Sequence, residues 1–86
     1  MKIKIEPHTL HRSKERGTNK KEIIDVIETG REVPAKYGYM ARFKIFNFNS
    51  KWLGKYYRQK TVKVFYTMKK NTIITVTVYV FYGKWK

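Results

Sequence analysis

The chain has 86 residues, no cysteine, and a formal charge of +14 from twenty Lys and Arg against six Asp and Glu. That length holds one domain, residues 1–86, with a modest core. Disulfides and thiolate metal sites are excluded, and no run approaches the roughly 18 apolar residues of a membrane span. A field this positive draws polyanions and opposes self-association, so the free chain is expected to be a monomer. Seven Tyr, five Phe and two Trp accompany the charge. Basic residues mixed with aromatics compose a nucleic-acid surface, where cations meet phosphates and rings stack on bases. An anionic membrane is a weaker rival, because no segment joins a basic face to a continuous apolar one. The first residues also lack the apolar centre of a signal peptide.

In chain order, Lys2 to Glu6 alternates and predicts a short edge strand. Pro7 suits the first turn of a helix that runs to about Arg16 and stops at Gly17. On that helix His8, His11, Arg12 and Glu15 share one face, and Leu10 points the other way, toward the core. Asn19 with Glu22 reads as the start of a second helix, striped by Ile23, Ile24 and Ile27 and ended by Gly30. Pro34 and Gly38 bracket a connection. Strands are predicted over Tyr39–Phe48, Lys60–Met68 and Thr72–Tyr82, with a loop over Asn47–Gly54 and a tight hairpin turn at Lys69–Asn71. In the last strand Ile74, Val76, Val78 and Val80 form the core side, and Ile73, Thr75, Thr77, Tyr79 and Phe81 the open side. The expected fold is α+β: a short N-terminal strand, two helices, then a three- to four-stranded antiparallel sheet with the helices on one face.

The pattern His8-x3-Arg12-x2-Glu15-Arg16-Gly17, followed by Asn19-x2-Glu22-Ile23 and Gly30, resembles a small bacterial family, domain of unknown function 4258. The closing Ile73-Ile74-Thr75-Val76-Thr77-Val78-Tyr79 is similar to that family's Ile-Thr-Val-Tyr end. The resemblance spans nearly the whole chain. That family is grouped with RelE-like toxins, in the fold shared by barnase, EndoU and colicin ribonuclease domains. The resemblance implies a RelE-like fold, metal-independent RNA cleavage without a cofactor, and control by an acidic antitoxin or immunity protein. It also implies action in the cytoplasm, from a stand-alone gene or as part of a larger secreted toxin. By position the family histidine falls on His8, the arginines on Arg12 and Arg16, the acid on Glu15, and the strand hydroxyls on Thr75 or Thr77 and on Tyr79. His11 has no counterpart in the family pattern, and the Thr18 position, often aliphatic there, is polar here.

RNA cleavage without metal needs a base for the 2′-hydroxyl, an acid for the 5′-oxygen and cations for the phosphorane. His8 is the first candidate for base or acid, against a role in capping its helix, with His11 second. Arg12 is placed to clamp the scissile phosphate, or else to pair with Glu15. Thr77 and Tyr79 complete the catalytic candidates, as phosphate donor and as base stacker or weak acid. RNA-binding candidates are Arg16, Arg42, Lys44, Lys63 and Thr75 in a groove on the bare sheet, and Trp52, Tyr56 and Arg58 in a basic aromatic stretch. That stretch reads equally as a packed turn. His8, His11 and Glu15 share a face, but the spacing is short for a helical metal motif and no acidic cluster completes it, so no metal is expected. The enzyme reading requires His8 near the sheet residues. A binding module requires only charge and rings, and an interaction protein only an acidic partner.

Overall fold

The computed structural model describes residues 2–85. It is an α+β fold: β1 (Lys2–Lys4), α1 (Pro7–Arg16), α2 (Lys20–Thr29), β2 (Arg31–Pro34), a 3₁₀ turn (Lys36–Gly38), β3 (Met40–Trp52), β4 (Lys55–Lys69) and β5 (Thr72–Gly83). The sheet has five strands in the order β1-β5-β4-β3-β2. It is mixed, because β1 runs parallel to β5 while the other neighbours are antiparallel. The expected three- to four-stranded antiparallel sheet is thus corrected in number and in sense. Among the described residues no helix is long and apolar enough to cross a membrane.

The helix boundaries follow the local code. Pro7 occupies the first turn of α1, and Gly17 closes it in the left-handed region at φ 87°, its amide donating to the Ser13 carbonyl. The Asn19 side chain accepts the Glu22 amide at 2.9 Å and starts α2. Gly30 ends α2 at φ −76°, so conformational freedom is not its role. A Cβ there would overlap the Val26 carbonyl and lie 2.8 Å from the Phe43 carbonyl. Glycine lets the chain turn hard against β3.

Both helices cover one face of the sheet. α2 buries Ile23, Val26 and Ile27 against Val62, Val64 and Tyr66 of β4, with Ile73 and Val78 of β5 completing the core. α1 packs on β5, and its seat is polar. Thr9 and Ser13 are its buried residues, while Leu10 is only partly covered. Leu10, expected to point to the core, is partly buried, and the deepest contacts of the helix are made by Thr9 and Ser13 instead. The small side chains of Thr9 and Ser13 allow close approach, and the Thr9 and Thr75 hydroxyls share a hydrogen bond of 2.8 Å.

Three departures from the expected strands have physical causes. The stretch Asn47–Gly54 is no loop. β3 runs on to Trp52 through a bulge where Asn49 takes φ 46°, and turns back at Leu53 and Gly54, both at positive φ. Two such residues make a turn whose twist matches the strands, as Lys70 and Asn71 do between β4 and β5. β2 lies just ahead of the connection bracketed by Pro34 and Gly38, where the sequence predicts no strand: it is four residues long and ends on Pro34, too short for alternation to register. Third, β5 carries a bulge opposite Phe65 and Tyr66, with Thr77 facing Phe65 and Thr75 facing Tyr66. The extra residue, Val76, reverses the alternation. Before it Ile73 and Thr75 point to the helices; after it Val78 and Val80 do. The expected core set Ile74, Val76, Val78 and Val80 is therefore correct only in its second half.

Candidate nucleic-acid interface

The sheet face away from the helices is bare. By register it carries Phe43 and Ile45 of β3, Thr61, Lys63 and Phe65 of β4, and Thr77, Tyr79 and Phe81 of β5. The segment from Pro34 to Tyr39 rises beside it and closes a cleft of about 610 Å³. The floor and far wall are Lys63, Phe65, Val76, Thr77 and Tyr79; Tyr37 and Tyr39 stand opposite. The β5 bulge sets the consecutive residues Val76 and Thr77 both on this cleft. Bulges next to sites commonly re-aim side chains in this way.

The rings are arranged to stay available. Tyr79 meets Phe65 edge-on at 5.5 Å and Phe81 at 6.4 Å between centroids. Tyr79, Phe81 and Tyr39 remain substantially exposed, and Tyr37 is 91 % exposed. Tyr37 holds φ 61° and ψ 31°, a left-handed conformation that costs a side-chain-bearing residue about 1–2 kcal/mol. The same left-handed backbone recurs at Asn49, Leu53, Lys70 and Asn71; at Tyr37 it lies in the segment that lines the cleft. The segment is fixed by two hydrogen bonds of 3.2 Å, from the Ala35 amide to the Tyr39 carbonyl and from the Tyr39 amide to the Lys36 carbonyl.

The cations divide by face. The Lys63 ammonium lies 5.2 Å from the Phe65 ring centroid. Arg16, at the end of α1, stacks its guanidinium 4.5 Å from the Tyr79 centroid and donates to the Val78 carbonyl at 2.6 Å. Arg16, Lys63, Thr77 and Tyr79 are thus brought together. Arg42 and Lys44 are not with them, and their expected place in the groove is corrected. They sit on the helix side of β3, where their long stems wrap α2. Arg42 donates to the Ile27 carbonyl near the end of α2 and pairs with Glu32 at 3.2 Å. Lys44 holds both oxygens of Asp25, at 2.9 and 3.0 Å. Cations at a helix C-terminus are favoured by its dipole, and carboxylates draw lysine stems around apolar surface. Thr75 is also corrected: it is buried on the helix side, accepting from the Glu6 amide at 3.1 Å.

The carboxylates divide in the opposite sense. All six precede residue 33, and none lies on the bare-face strands or in the cleft. The hydrogen bond from Arg12 holds the Glu15 carboxyl below the usual range, and that from Lys44 does the same for Asp25. Glu32 is lowered by hydrogen bonds from the Tyr66 hydroxyl and then from Arg42. Glu22 binds Lys60 at 2.8 Å, and that buried ammonium also donates to the Gly17 carbonyl at 2.9 Å. Arg42, Lys44 and Lys60 on the helix side are therefore each matched with an acid, whereas no carboxylate lines the cleft beside Lys63. The acid-free run from Val33 onward was the sequence signal for this division.

The histidine face of α1 stands apart. His8 and His11 are exposed, and neither lines the cleft. His11 faces Glu15 at 3.6 Å and Arg12 pairs with the same carboxylate at 2.9 Å. Trp52 is not free to stack on a base: it lies flat on Tyr82 at 5.1 Å, under Gly17. Tyr56 and Arg58 line a separate shallow cleft with Lys55 and Lys84 at the far end of the long hairpin. Compared with known proteins, the chain matches no family model, no curated protein and no solved structure.

Proposed function

We propose that this chain is a nucleic-acid-binding module that holds single-stranded RNA on the bare face of its sheet. The observation that carries the reading is a cleft lined by the exposed aromatics Tyr37, Tyr39 and Tyr79 with the Lys63 and Lys36 cations and no carboxylate, and bordered by Phe81 and Arg16, which meet the Tyr79 ring. Rings accept bases of any sequence, and cations track the phosphates. In fluorescence anisotropy with a labelled oligouridine, affinity is expected to fall steeply with salt. If about five cations meet phosphates, log affinity against log salt has a slope near −3.5. A slope shallower than about −1, or no binding at low salt, refutes the reading.

Metal-independent RNA cleavage is the second reading. It is favoured by the convergence of Arg16, Lys63, Thr77 and Tyr79, and by the front motif's resemblance to the RelE-like family. It stands second because His8 and His11 lie outside the cleft. Bulk RNA incubated with the protein in EDTA separates the two. Intact RNA under tight binding supports the module. Cleavage to cyclic phosphate ends supports the enzyme, and a loss of about 10²–10⁴-fold in His8→Ala or in Tyr79→Phe identifies its acid–base group.

A further inference from the structure

The cleft has more relief than electrostatic tracking of a strand requires. Cations and a flat surface suffice for that, yet here the Pro34–Tyr39 segment builds a second wall. Aromatics line it from both segments, Tyr37 and Tyr39 from the Pro34–Tyr39 segment and Phe65 and Tyr79 from the sheet. The volume, about 610 Å³, lies within the roughly 300–1,000 Å³ of small-molecule sites and suits one nucleotide-sized group. The lining is largely apolar, with the Lys63 ammonium and the Thr77 hydroxyl as side-chain polar groups on the floor. Lys36 stands on the facing wall, and Arg16 lies against Tyr79.

We propose that the cleft clamps one unpaired base between Tyr37 and Tyr79, with its flanking phosphates on Lys63, Lys36 and Arg16. This deepens the RNA-binding reading and rests on it. The occupant follows from the chemistry. Four aromatic rings in the lining favour a planar group, and the Lys63 and Lys36 ammoniums in a lining without carboxylates favour an anionic neighbour. A base in a duplex is stacked on both sides and cannot enter, so the site selects unpaired strands. With few polar groups on the floor, it takes bases with little regard to identity. The two backbone hydrogen bonds that fix the segment set the position of the Tyr37 backbone before any strand arrives, which lowers the ordering required on binding.

The test compares three labelled decamers by anisotropy: a single strand, the same strand with every base removed, and a duplex. They are titrated with the full chain, Tyr37→Ala and Tyr79→Leu, and melting curves establish that each variant is folded. Tyr37 is almost wholly exposed, so its truncation leaves the core untouched. Wild type should bind the single strand about tenfold or more tighter than the abasic strand, and prefer it to the duplex. Tyr37→Ala should lose most of that preference while the salt slope and the abasic affinity stay unchanged, because no phosphate contact is removed. The clamp is overturned if Tyr37→Ala and Tyr79→Leu weaken abasic and base-bearing strands equally, or weaken neither. It is also overturned if polyglutamate displaces the strand equally well from wild type and Tyr37→Ala, since the surface would then take any polyanion. Failure of the underlying RNA reading looks different: no decamer binds at low salt.

Discussion

Gly17→Ala tests how the helical layer is joined to the sheet. Gly17 is left-handed, at φ 87°, which costs alanine about 1–2 kcal/mol. The added Cβ would overlap the Tyr82 hydroxyl and stand 2.9 Å from the Trp52 ring. Tyr82 must then withdraw, giving up its 2.7 Å hydrogen bond to the Arg16 carbonyl, worth about 0.5–1.5 kcal/mol. Its stack on Trp52 is worth about the same again. The sum is about 3 kcal/mol, or roughly 12–24 °C in Tm for a domain of this size. Gly54→Ala is the control. Its φ is 84° but nothing lies within 4 Å of the added Cβ, so only the backbone cost remains, roughly 4–16 °C. Circular dichroism melts of both variants measure the difference. In a Tyr82→Phe background the hydroxyl is gone, and Gly17→Ala should cost about 1 kcal/mol less than in wild type. Equal losses for the two glycines, or no relief from Tyr82→Phe, would refute the seating of Trp52 and Tyr82 beneath Gly17.

Two predictions accompany the binding and clamp experiments. Val78→Asp places an unpaired charge in the core and should abolish the cooperative melt, whereas Thr77→Ala on the bare face should shift Tm by only a few degrees; similar losses would mean that the bulge is misplaced. Stability should also fall at both ends of the pH range. The lowered carboxyls of Glu15, Asp25 and Glu32 stabilise the fold above their unfolded values near about 4, and that contribution goes as pH falls through the lower folded ones. Tyr82, pushed up to about 12 by burial and then by the charge of Glu22, stabilises below about pH 10 and loses its effect as pH rises toward the folded value. Asp25→Asn with Glu32→Gln should flatten the acid limb of a Tm–pH profile, and Tyr82→Phe should soften the alkaline one; unchanged limbs would contradict these assignments.

Features coded by a few adjacent residues were legible in the sequence. Pro7, Gly17 and Asn19 placed the helices, and the turn at Lys69–Asn71 placed the last hairpin. Features decided by distant partners were not. Thr75-Val76-Thr77-Val78 satisfies strand preference in either phase, so only the pairing with Phe65 and Tyr66 reveals the bulge that buries Thr75. Arg42 and Lys44 read as solvent-facing because a basic residue on a strand usually is; their pairing with Val64 and Val62 puts them on the helix side, where Glu32 and Asp25 meet them. Of the site, Lys63, Thr77 and Tyr79 could be placed on one face by alternation. The facing wall could not, because a tyrosine in a left-handed turn leaves no sequence signal.

The order in which the chain is made sets when the cleft exists. The hydrogen bonds that fix α1 to the sheet reach residues of the last strand: Glu6 and Thr9 to Thr75, Arg16 to Val78, and Tyr82 to Arg16, at separations of 62 to 69 residues. β1 depends on the same strand. At about 5–20 residues per second, α1 waits roughly 3–14 s on the ribosome for the strand that seats it, while the β3–β4 hairpin can already pair. Closing so long a loop is slow compared with local pairing. Tyr79 and Thr77 lie in that late strand, and Arg16 is positioned only through it. The molecule therefore gains a binding surface in the same step that completes its fold, and a nascent chain carries the charge without the cleft.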